Sequence, residues 1–340
     1  MTRISTGSVA ERLATRGFIF LMAGVMTACT GAAPAGGAAT SPRSVAPTET
    51  THPTFGAVVT PKPTRRTAII GNFDAGGAGW GMTKAGGALW IQVDPPVDAI
   101  VRIDAETGSA IPAVPGGHKA KSGPEGLWIL GGDWLVRVDP ATGKESLRVP
   151  MGGPFALGEG AVWLINDSGL HRIDPETGAV DKPIALRGES ACGAMKDLAV
   201  AFESAWGACK EGHVVRIDLG TGAARTIPTA AGAHTFAVTD EGVWVTNYQA
   251  GSVSRIDAET NEVTTIAGAG SGVGITTGDG YVWAATPIGI ARIDPATATI
   301  EDTIAIGLGE YYELVWDDGV IWASTRGNRV LKVDVSSSTP

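Results

Sequence analysis

Residues 242–261 read GVWVTNYQAGSVSRIDAETN, and this stretch contains the two features that decide the fold. The first is Trp244, which stands in a short apolar run after a Gly-containing turn. The second is the triplet Arg255-Ile256-Asp257, a basic residue, a β-branched residue and an Asp. Apolar runs of aromatic and β-branched residues between turn formers are typical of β-strands. The stretch therefore predicts one strand around Trp244 and another that ends near Asp257.

Both features recur along the chain. The triplet occurs seven times, and its Asp residues are Asp104, Asp139, Asp174, Asp218, Asp257, Asp294 and Asp334. A Trp precedes each of them: Trp90, Trp128, Trp163, Trp206, Trp244, Trp283 and Trp322. The interval between the Asp residues, 35 to 44 residues, is typical of repeats that each form one small sheet of a ring. We therefore predict an all-β fold, a seven-bladed β-propeller with four antiparallel strands per blade.

The last repeat supplies only three strands before the chain ends. Residues 66–71, RTAIIG, resemble the fourth strand of an earlier repeat, residues 302–307, DTIAIG. We therefore predict that residues 67–72 pair with the C-terminal blade and close the ring without an open sheet edge. Because the Trp residues and the triplets recur in every blade, we interpret both as structural.

The N-terminus predicts export. Arg3, Arg12 and Arg16 precede an apolar run, residues 17–26, that is too short to span a bilayer as a helix. Residues 25–29, VMTAC, resemble the lipobox of bacterial lipoproteins, with Met where Leu is usual. The resemblance implies removal of a signal peptide, residues 1–28, and acylation of Cys29, with palmitate among the attached chains. The protein would then be anchored to the extracytoplasmic side of the bacterial cell membrane. An ordinary signal peptide with an incidental Cys is the alternative.

The rest of the chain divides into a tether and a domain. Residues 29–64 consist mostly of Ala, Gly, Pro, Ser and Thr, a composition that cannot bury enough apolar surface to fold, so we predict a disordered tether. Residues 65–340 form the propeller. The net charge of −9 argues against a nucleic-acid partner, because nucleic acids select for basic surfaces.

Two cysteines remain after Cys29. Cys192 lies in the loop that enters the innermost strand of the fourth blade, and Cys209 lies at the exit of its second strand. Both loops emerge on the same face, so a disulfide is geometrically allowed, and export favours it. Two free thiols, or a soft-metal pair with His213 as the nearest further ligand, are the alternative.

Function on a propeller is expected where the repeats differ. We call the face that carries the entries to the innermost strands and the loops between second and third strands the loop face. Lys119 and Lys121 fall on it. The candidate binding residues on this face are Trp80, Asn166, His234, Asn247, Tyr248, Glu310, Tyr311, Tyr312 and Arg326. Aromatic side chains beside amides and charges suit a patch that binds an envelope protein, a peptide or a glycan. Packing at blade edges is the alternative for Tyr311 and Tyr312.

His234 is the one candidate catalytic residue. It stands at the entrance of an innermost strand, where its imidazole would point to the axial channel and could act as a general base or a metal ligand. We expect no carboxylate within ligand distance of it. The sequence contains no Gly-x-Ser-x-Gly elbow, no His-Glu-x-x-His and no phosphate-binding Gly-rich loop before a helix.

Residues 242–261 resemble a YVTN-type β-propeller repeat, and weaker copies cover about residues 68–335. The array is also similar to the virginiamycin B lyase (streptogramin lyase) family. That resemblance implies a seven-bladed ring that opens a cyclic depsipeptide ester by elimination, with Mg²⁺, a His and a Glu. His234 matches the family's His, but Asn247 stands near the place of the Glu, and Asn is a poor substitute for a carboxylate on Mg²⁺.

We therefore favour a non-catalytic binding module that needs no cofactor. A metal-dependent carbon–oxygen lyase, or an ester or lactone hydrolase, that uses His234 is the alternative. An envelope scaffold that contacts only other proteins is the third possibility.

Overall fold

The repeats form seven blades around one axis in the computed structural model. The structure describes residues 65–66, 69–270, 272–307 and 311–336. Every regular element in these ranges is a β-strand, which confirms the predicted all-β propeller. The blades belong to one unit of the chain, Phe55–Pro340. The predicted signal peptide, Cys29 and the tether lie outside the described residues. Within the described ranges, no helix is long and apolar enough to cross a membrane.

Each blade is an antiparallel meander that starts at the axis. The innermost strands are Gly79–Ala85, Lys119–Gly123, Phe155–Gly158, Met195–Ala201, Ala233–Thr239, Ile275–Gly278 and Tyr311–Asp317. The second strands are Ala88–Val93, Gly126–Leu130, Ala161–Asn166, Ser204–Cys209, Gly242–Asn247, Tyr281–Thr286 and Val320–Thr325. The third strands are Ala99–Asp104, Leu135–Val138, Gly169–Ile173, His213–Asp218, Ser252–Ile256, Gly289–Asp294 and Arg329–Asp334.

The outermost strands complete six blades, and two short strands extend two of the sheets. The outermost strands are Ala110–Pro115, Glu145–Val149, Ala223–Pro228, Val263–Ala267, Thr299–Ala305 and, for blade 7, Ile69–Asp74. Arg187–Gly188 runs parallel to the outermost strand of blade 4. Arg65–Arg66 runs parallel to the outermost strand of blade 6. The start of the domain therefore contacts two neighbouring blades, 6 and 7.

The ring closes as predicted. Ile69–Asp74 pairs antiparallel with Arg329–Asp334, and the register joins Ile69 to Val333 and Asp74 to Arg329. A strand from the beginning of the domain thus supplies the outer edge of the last blade. Closure of this kind covers a sheet edge that would otherwise present unpaired backbone groups.

Blade 3 is irregular at its outer position. Residues 179–186 lie where the other blades have a fourth strand, but they contact Gly169–Ile173 through two isolated bridges, Ile173 to Val180 and Leu170 to Ile184. Pro183 stands between these bridges and has no backbone N–H to donate. The segment therefore follows the edge of the blade without a regular ladder.

The repeated Trp residues pack between blades. All seven are buried, with at most 5% of their surface exposed. In four blades the indole Nε1 donates to the backbone oxygen five residues earlier, as from Trp206 to Ala201 at 3.0 Å. In blades 4, 5 and 7 the basic residue of the triplet lies over the Trp of its own blade, as Arg216 does over Trp206 at 4.6 Å from the ring centre. These contacts confirm the structural interpretation.

The Asp of the triplet begins the turn after each third strand. Asp257 Oδ1 accepts hydrogen bonds from Glu259 N (2.9 Å), Thr260 N (2.7 Å) and Thr260 Oγ1 (2.9 Å). Asp104, Asp174 and Asp218 make the same set of bonds. Arg216 also donates to Ala258 O in the turn of the next blade at 2.5 Å. The triplets thus fix the turns and connect neighbouring blades.

Candidate functional site

All seven innermost strands line one cavity of about 410 Å³ on the axis, which we call the axial cavity. Most of its lining is small or apolar, as expected where seven strands converge. In the part of the chain that the structure describes, the ionisable side chains of the lining come from three blades: Lys119 and Lys121 from blade 2, Asp197 from blade 4 and Glu313 from blade 7. In blades 4 and 7 the ladder shifts register just before the acidic residue, a bulge of the kind that re-aims side chains.

Lys119, Lys121 and Asp197 form one ion cluster across blade 3. Asp197 Oδ1 accepts from Lys119 Nζ at 2.6 Å and from Lys121 Nζ at 2.8 Å. Lys121 also donates to Leu198 O at 2.8 Å. The Asp197 side chain is 5% exposed, and the two lysines are 27% and 22% exposed. Two ammonium groups therefore share one nearly buried carboxylate.

Burial and charge shift the titration of these groups in different directions. Burial lowers the pKa of Lys121, although Asp197 opposes this change. Burial would raise the pKa of Asp197, but the two lysines overcome it and hold the pKa well below its usual range. Burial raises the pKa of Glu313 to about 8 against the attraction of Lys119 and Lys121, with Asp197 adding to the rise. Glu313 is thus mostly protonated at neutral pH. Titratable groups with strongly shifted pKa values in a cavity are candidates for a functional site.

His234 and Tyr248 lie at the rim of the same face. The two rings meet edge to face, with centres 6.2 Å apart, and Tyr248 is 43% exposed. His234 Nδ1 lies 3.0 Å from Thr235 Oγ1. Burial lowers the pKa of His234 to about 4, with Asp197 opposing the shift, so the imidazole is neutral at pH 7. Thr235 and Phe236, the two residues after His234, line the axial cavity. His234 itself packs against the ring of Tyr248.

No contact among the described residues places a carboxylate within ligand distance of His234, so that expectation stays a prediction, but two acids do line the axial cavity beside it. Asp197 acts electrostatically on His234, and Glu313 lines the same cavity. Sequence reasoning missed both acids. The available signal was their position: each is the third residue of an innermost strand, where most blades place small or apolar residues. Their convergence depends on ring closure, which brings distant blades to one axis.

Trp80 is the second exposed aromatic residue among the loop-face candidates, in blade 1. Its side chain is 37% exposed, and its Nε1 donates to Asp94 Oδ2 at 2.6 Å. A hydrogen bond to a carboxylate fixes the orientation of the indole. Trp80 and Tyr248 are therefore held in place by neighbours before any partner arrives.

Asn247 was predicted to be a binding residue of the loop face, but it belongs to the turn below Tyr248. Its side chain is fully buried. In the orientation that satisfies both ends of the amide, Oδ1 accepts from Ser254 Oγ (2.8 Å) and Ser252 Oγ (3.2 Å), and Nδ2 donates to Ala230 O (3.1 Å). Asn247 thereby fixes the loop that displays Tyr248.

The other candidates differ in what the structure shows of them. Asn166 is half-buried, and its Oδ1 accepts from Ser168 N (2.9 Å) and Ser168 Oγ (2.6 Å), so it caps its own turn. Arg326 is exposed between the second and third strands of blade 7. Tyr311 and Tyr312 begin the innermost strand of that blade. Glu310 lies outside the described residues.

The predicted disulfide is present. Cys192 is bonded to Cys209, with their Cα atoms 5.4 Å apart. The bond joins the loop that enters the innermost strand of blade 4 to the end of the second strand. His213 Nε2 lies 2.8 Å from Ala191 O in the same loop. This finding excludes the free-thiol and soft-metal alternatives for the pair.

The magnesium site implied by the lyase resemblance does not fit these residues. Asn247 uses its amide on Ser252, Ser254 and Ala230, and His234 contacts Thr235 and Tyr248. Among the described residues, no group of three or more His, Cys, Asp or Glu side chains is arranged to hold a metal ion. Asp197, the nearest acid, already accepts from two lysines.

Comparisons with known proteins identify the fold. Residues 205–339 match the family described as "Domain of unknown function (DUF5074)". No curated protein matches the chain by sequence. Virginiamycin B lyase from Staphylococcus aureus has a similar structure, with a TM-score of 0.62 and 15% identity, over 78% of this chain and 98% of that one.

Two further solved structures are similar. BamB from Moraxella catarrhalis has a TM-score of 0.50 and 16% identity, over 76% of this chain and 84% of that one. The WD40 domain of Pan2 from Neurospora crassa has a TM-score of 0.58 and 10% identity, over 78% and 91%. At these identities the likeness shows a β-propeller and carries no catalytic residue across.

Proposed function

We propose that this protein is a lipoprotein of the bacterial cell membrane whose propeller acts as a non-catalytic binding module on the extracytoplasmic side. Its partner would be an envelope protein, a peptide or a glycan that docks on the loop face. The propeller fold is compatible with binding, and Cys29 supplies the anchor in this proposal. The observation that carries the binding function is the pair of exposed aromatic side chains, Trp80 and Tyr248, each oriented by a specific neighbour.

Preorganised aromatic residues are effective binding groups. They offer large contact areas and lose little conformational entropy when a partner binds, because packing has already fixed them. Tyr248 rests against His234, and Trp80 is bonded to Asp94. The side chains that could take part in catalysis are already bonded within the protein. Asp197 accepts hydrogen bonds from two lysines, and Asn247 is buried in its turn.

The test compares the two faces of the ring. A photo-crosslinking amino acid is placed at Tyr248 of the full chain in its native membrane, and at Phe202 in a matched control. Phe202 is 37% exposed in the turn between the first and second strands of blade 4, on the opposite face. We expect a discrete crosslinked product from position 248 and none from position 202. Equal labelling at both positions, or none at 248, would contradict the proposal.

Membrane anchoring has its own test. Cells that express the full chain are fed an alkyne-tagged fatty acid and fractionated. We expect label on the wild-type protein in the membrane fraction, and neither label nor membrane retention for Cys29→Ser. Unlabelled wild-type protein would favour the ordinary signal peptide instead.

A further inference from the structure

In the axial cavity, Lys119 Nζ and Lys121 Nζ both donate to one carboxylate oxygen, Asp197 Oδ1, at 2.6 and 2.8 Å. Among the described residues, the ion pairs of these lysines are with Asp197 and not with Glu313, so the ion-paired cluster contains two amino groups and one carboxylate. Burial raises the pKa of Glu313, which also lines the cavity, to about 8. A low-dielectric cavity makes an unbalanced charge costly, and the cost falls when a counter-charge binds beside it. A monoanion would balance the cluster.

The two ammonium groups also keep hydrogen-bonding capacity. Each can donate three bonds. Within the described residues, Lys121 uses two, to Asp197 Oδ1 and Leu198 O, both at 2.8 Å. Lys119 uses one to Asp197 Oδ1 at 2.6 Å and a long one to Lys196 O at 3.5 Å. One donor on each lysine is left for a ligand, and charge-assisted bonds from two ammonium groups are strong when partly shielded from water.

The remaining lining suits a small organic ligand. Hydroxyl groups come from Thr276 and Thr277, and apolar surface comes from Leu157, Val200 and Trp316. The volume, about 410 Å³, lies in the range of pockets for small molecules. A protonated carboxyl can donate its O–H to an anionic oxygen, a bond that an ionised one cannot make.

From this arrangement we propose that the axial cavity binds a small monocarboxylate, held by Lys119 and Lys121 with the Glu313 carboxyl as a further donor. This site is separate from the rim residues Trp80 and Tyr248, and it does not depend on what docks there. Binding follows the protonation of Glu313, since an ionised Glu313 would repel the ligand and could not donate to it.

Among the described residues, three charged groups act on the pKa of Glu313. Lys119 and Lys121 favour its ionised form, and Asp197 favours its protonated form. The neighbouring blades 6 and 1 present Thr276, Thr277, Gly81, Met82 and Thr83 to the cavity, which do not titrate. His234 in blade 5 is neutral at pH 7. Between pH 7 and 9 the protonated fraction of Glu313 falls to about one tenth, so carboxylate affinity falls by about tenfold.

The first experiment uses matched probes. Benzoate and acetate, with their neutral counterparts benzamide and acetamide, are titrated into the full chain by calorimetry at pH 7. We expect at least one carboxylate to bind with a Kd in the millimolar range or tighter, and its amide to bind at least tenfold more weakly. If neither carboxylate binds at about 20 mM, or if the amides bind equally well, the proposal is overturned.

Two variants test the roles of the residues. Lys121→Met leaves one ammonium on Asp197, removes the excess charge and should weaken carboxylate binding at least tenfold, whereas Lys182→Met, at an exposed position in blade 3, should not. Glu313→Gln imitates the protonated carboxyl. It should bind as the wild type does at pH 7 and lose about tenfold less affinity than the wild type at pH 9, because any loss of charge on Lys121, whose pKa burial lowers, is common to both. Unchanged binding in folded Lys121→Met, or the full loss at pH 9 in Glu313→Gln, would contradict the assignment.

Discussion

At the turns that follow the third strands, several blades repeat one set of hydrogen bonds, in which an Asp carboxylate accepts from the residues two and three positions later. At the starts of the innermost strands, the charged residues that line the cavity belong to blades 2, 4 and 7 alone. At the turn residues Asp257 and Asp104 the pKa is lowered, because backbone and side-chain donors bind the ionised carboxylate. Glu313 in the cavity shows the opposite shift, because burial dominates. Repetition marks the groups that hold the ring together, and deviation marks the groups available to a ligand.

The largest effect on stability is expected at the ion cluster. Asp197→Asn leaves two ammonium groups without their carboxylate, and removing one partner of a buried pair costs about 3 to 5 kcal/mol in free energy of unfolding. Denaturant titration at pH 7 measures this loss. The double variant Asp197→Asn with Lys121→Met should recover part of it, because one of the unpaired charges is gone. A loss below about 1 kcal/mol would mean that the cluster is solvated like a surface pair.

The disulfide should have the next largest effect. Cys192 and Cys209 are separated by 17 residues, and a closed loop of this length contributes about 3 kcal/mol through the entropy of the unfolded chain. The double variant Cys192→Ser with Cys209→Ser, compared with the oxidised wild type by denaturant titration, gives the value. If reduction of the wild type with dithiothreitol produced no matching loss, the bond would not form in the protein.

Glu313 predicts an unusual dependence of stability on pH. Its folded pKa, about 8, lies above the unfolded value, so its stabilising contribution is present below the unfolded pKa and is lost as pH rises towards 8. Glu313→Gln removes this loss. We expect the variant to gain about 2 kcal/mol over the wild type between pH 5 and 8, the full shift being reduced by residual solvent contact. A stability difference that does not change with pH would show that Glu313 is ionised throughout.

The smallest change is expected at a single repeated turn. Asp257→Ala removes three hydrogen bonds from an exposed turn, and we expect Tm to fall by only a few degrees. The contribution of Asp257 is present above its unfolded pKa and disappears as pH falls through the lowered folded value. The difference from wild type should therefore vanish in strong acid. A loss as large as that of Asp197→Asn would remove the distinction between the two regions.

The sequence predicts the ring better than the site, and the residues show why. Trp244 and Asp257 act within their own blade or its neighbour, so a period in the sequence is enough to assign them. Lys121 and Asp197 are separated by 76 residues and meet only because the ring places their blades around one axis. Asn247 was placed correctly at a strand end, but its burial depends on Ser252, Ser254 and Ala230 around it. Contacts across the axis and the burial of a single polar side chain do not recur along the sequence, so the repeat pattern cannot predict them.

Carboxyl-carbon NMR of the full chain, recorded as a function of pH, tests the contrast between the two regions most directly, because turn and cavity carboxyl groups titrate in one set of spectra. The Glu313 signal is assigned by its absence from Glu313→Gln, and a turn signal by its absence from Asp257→Ala. The account predicts that Glu313 titrates near pH 8 and Asp257 below its ordinary range. If Glu313 titrated near its ordinary value, the cavity would carry no excess positive charge at neutral pH, and the distinction between structural turns and a ligand-binding axis would be contradicted.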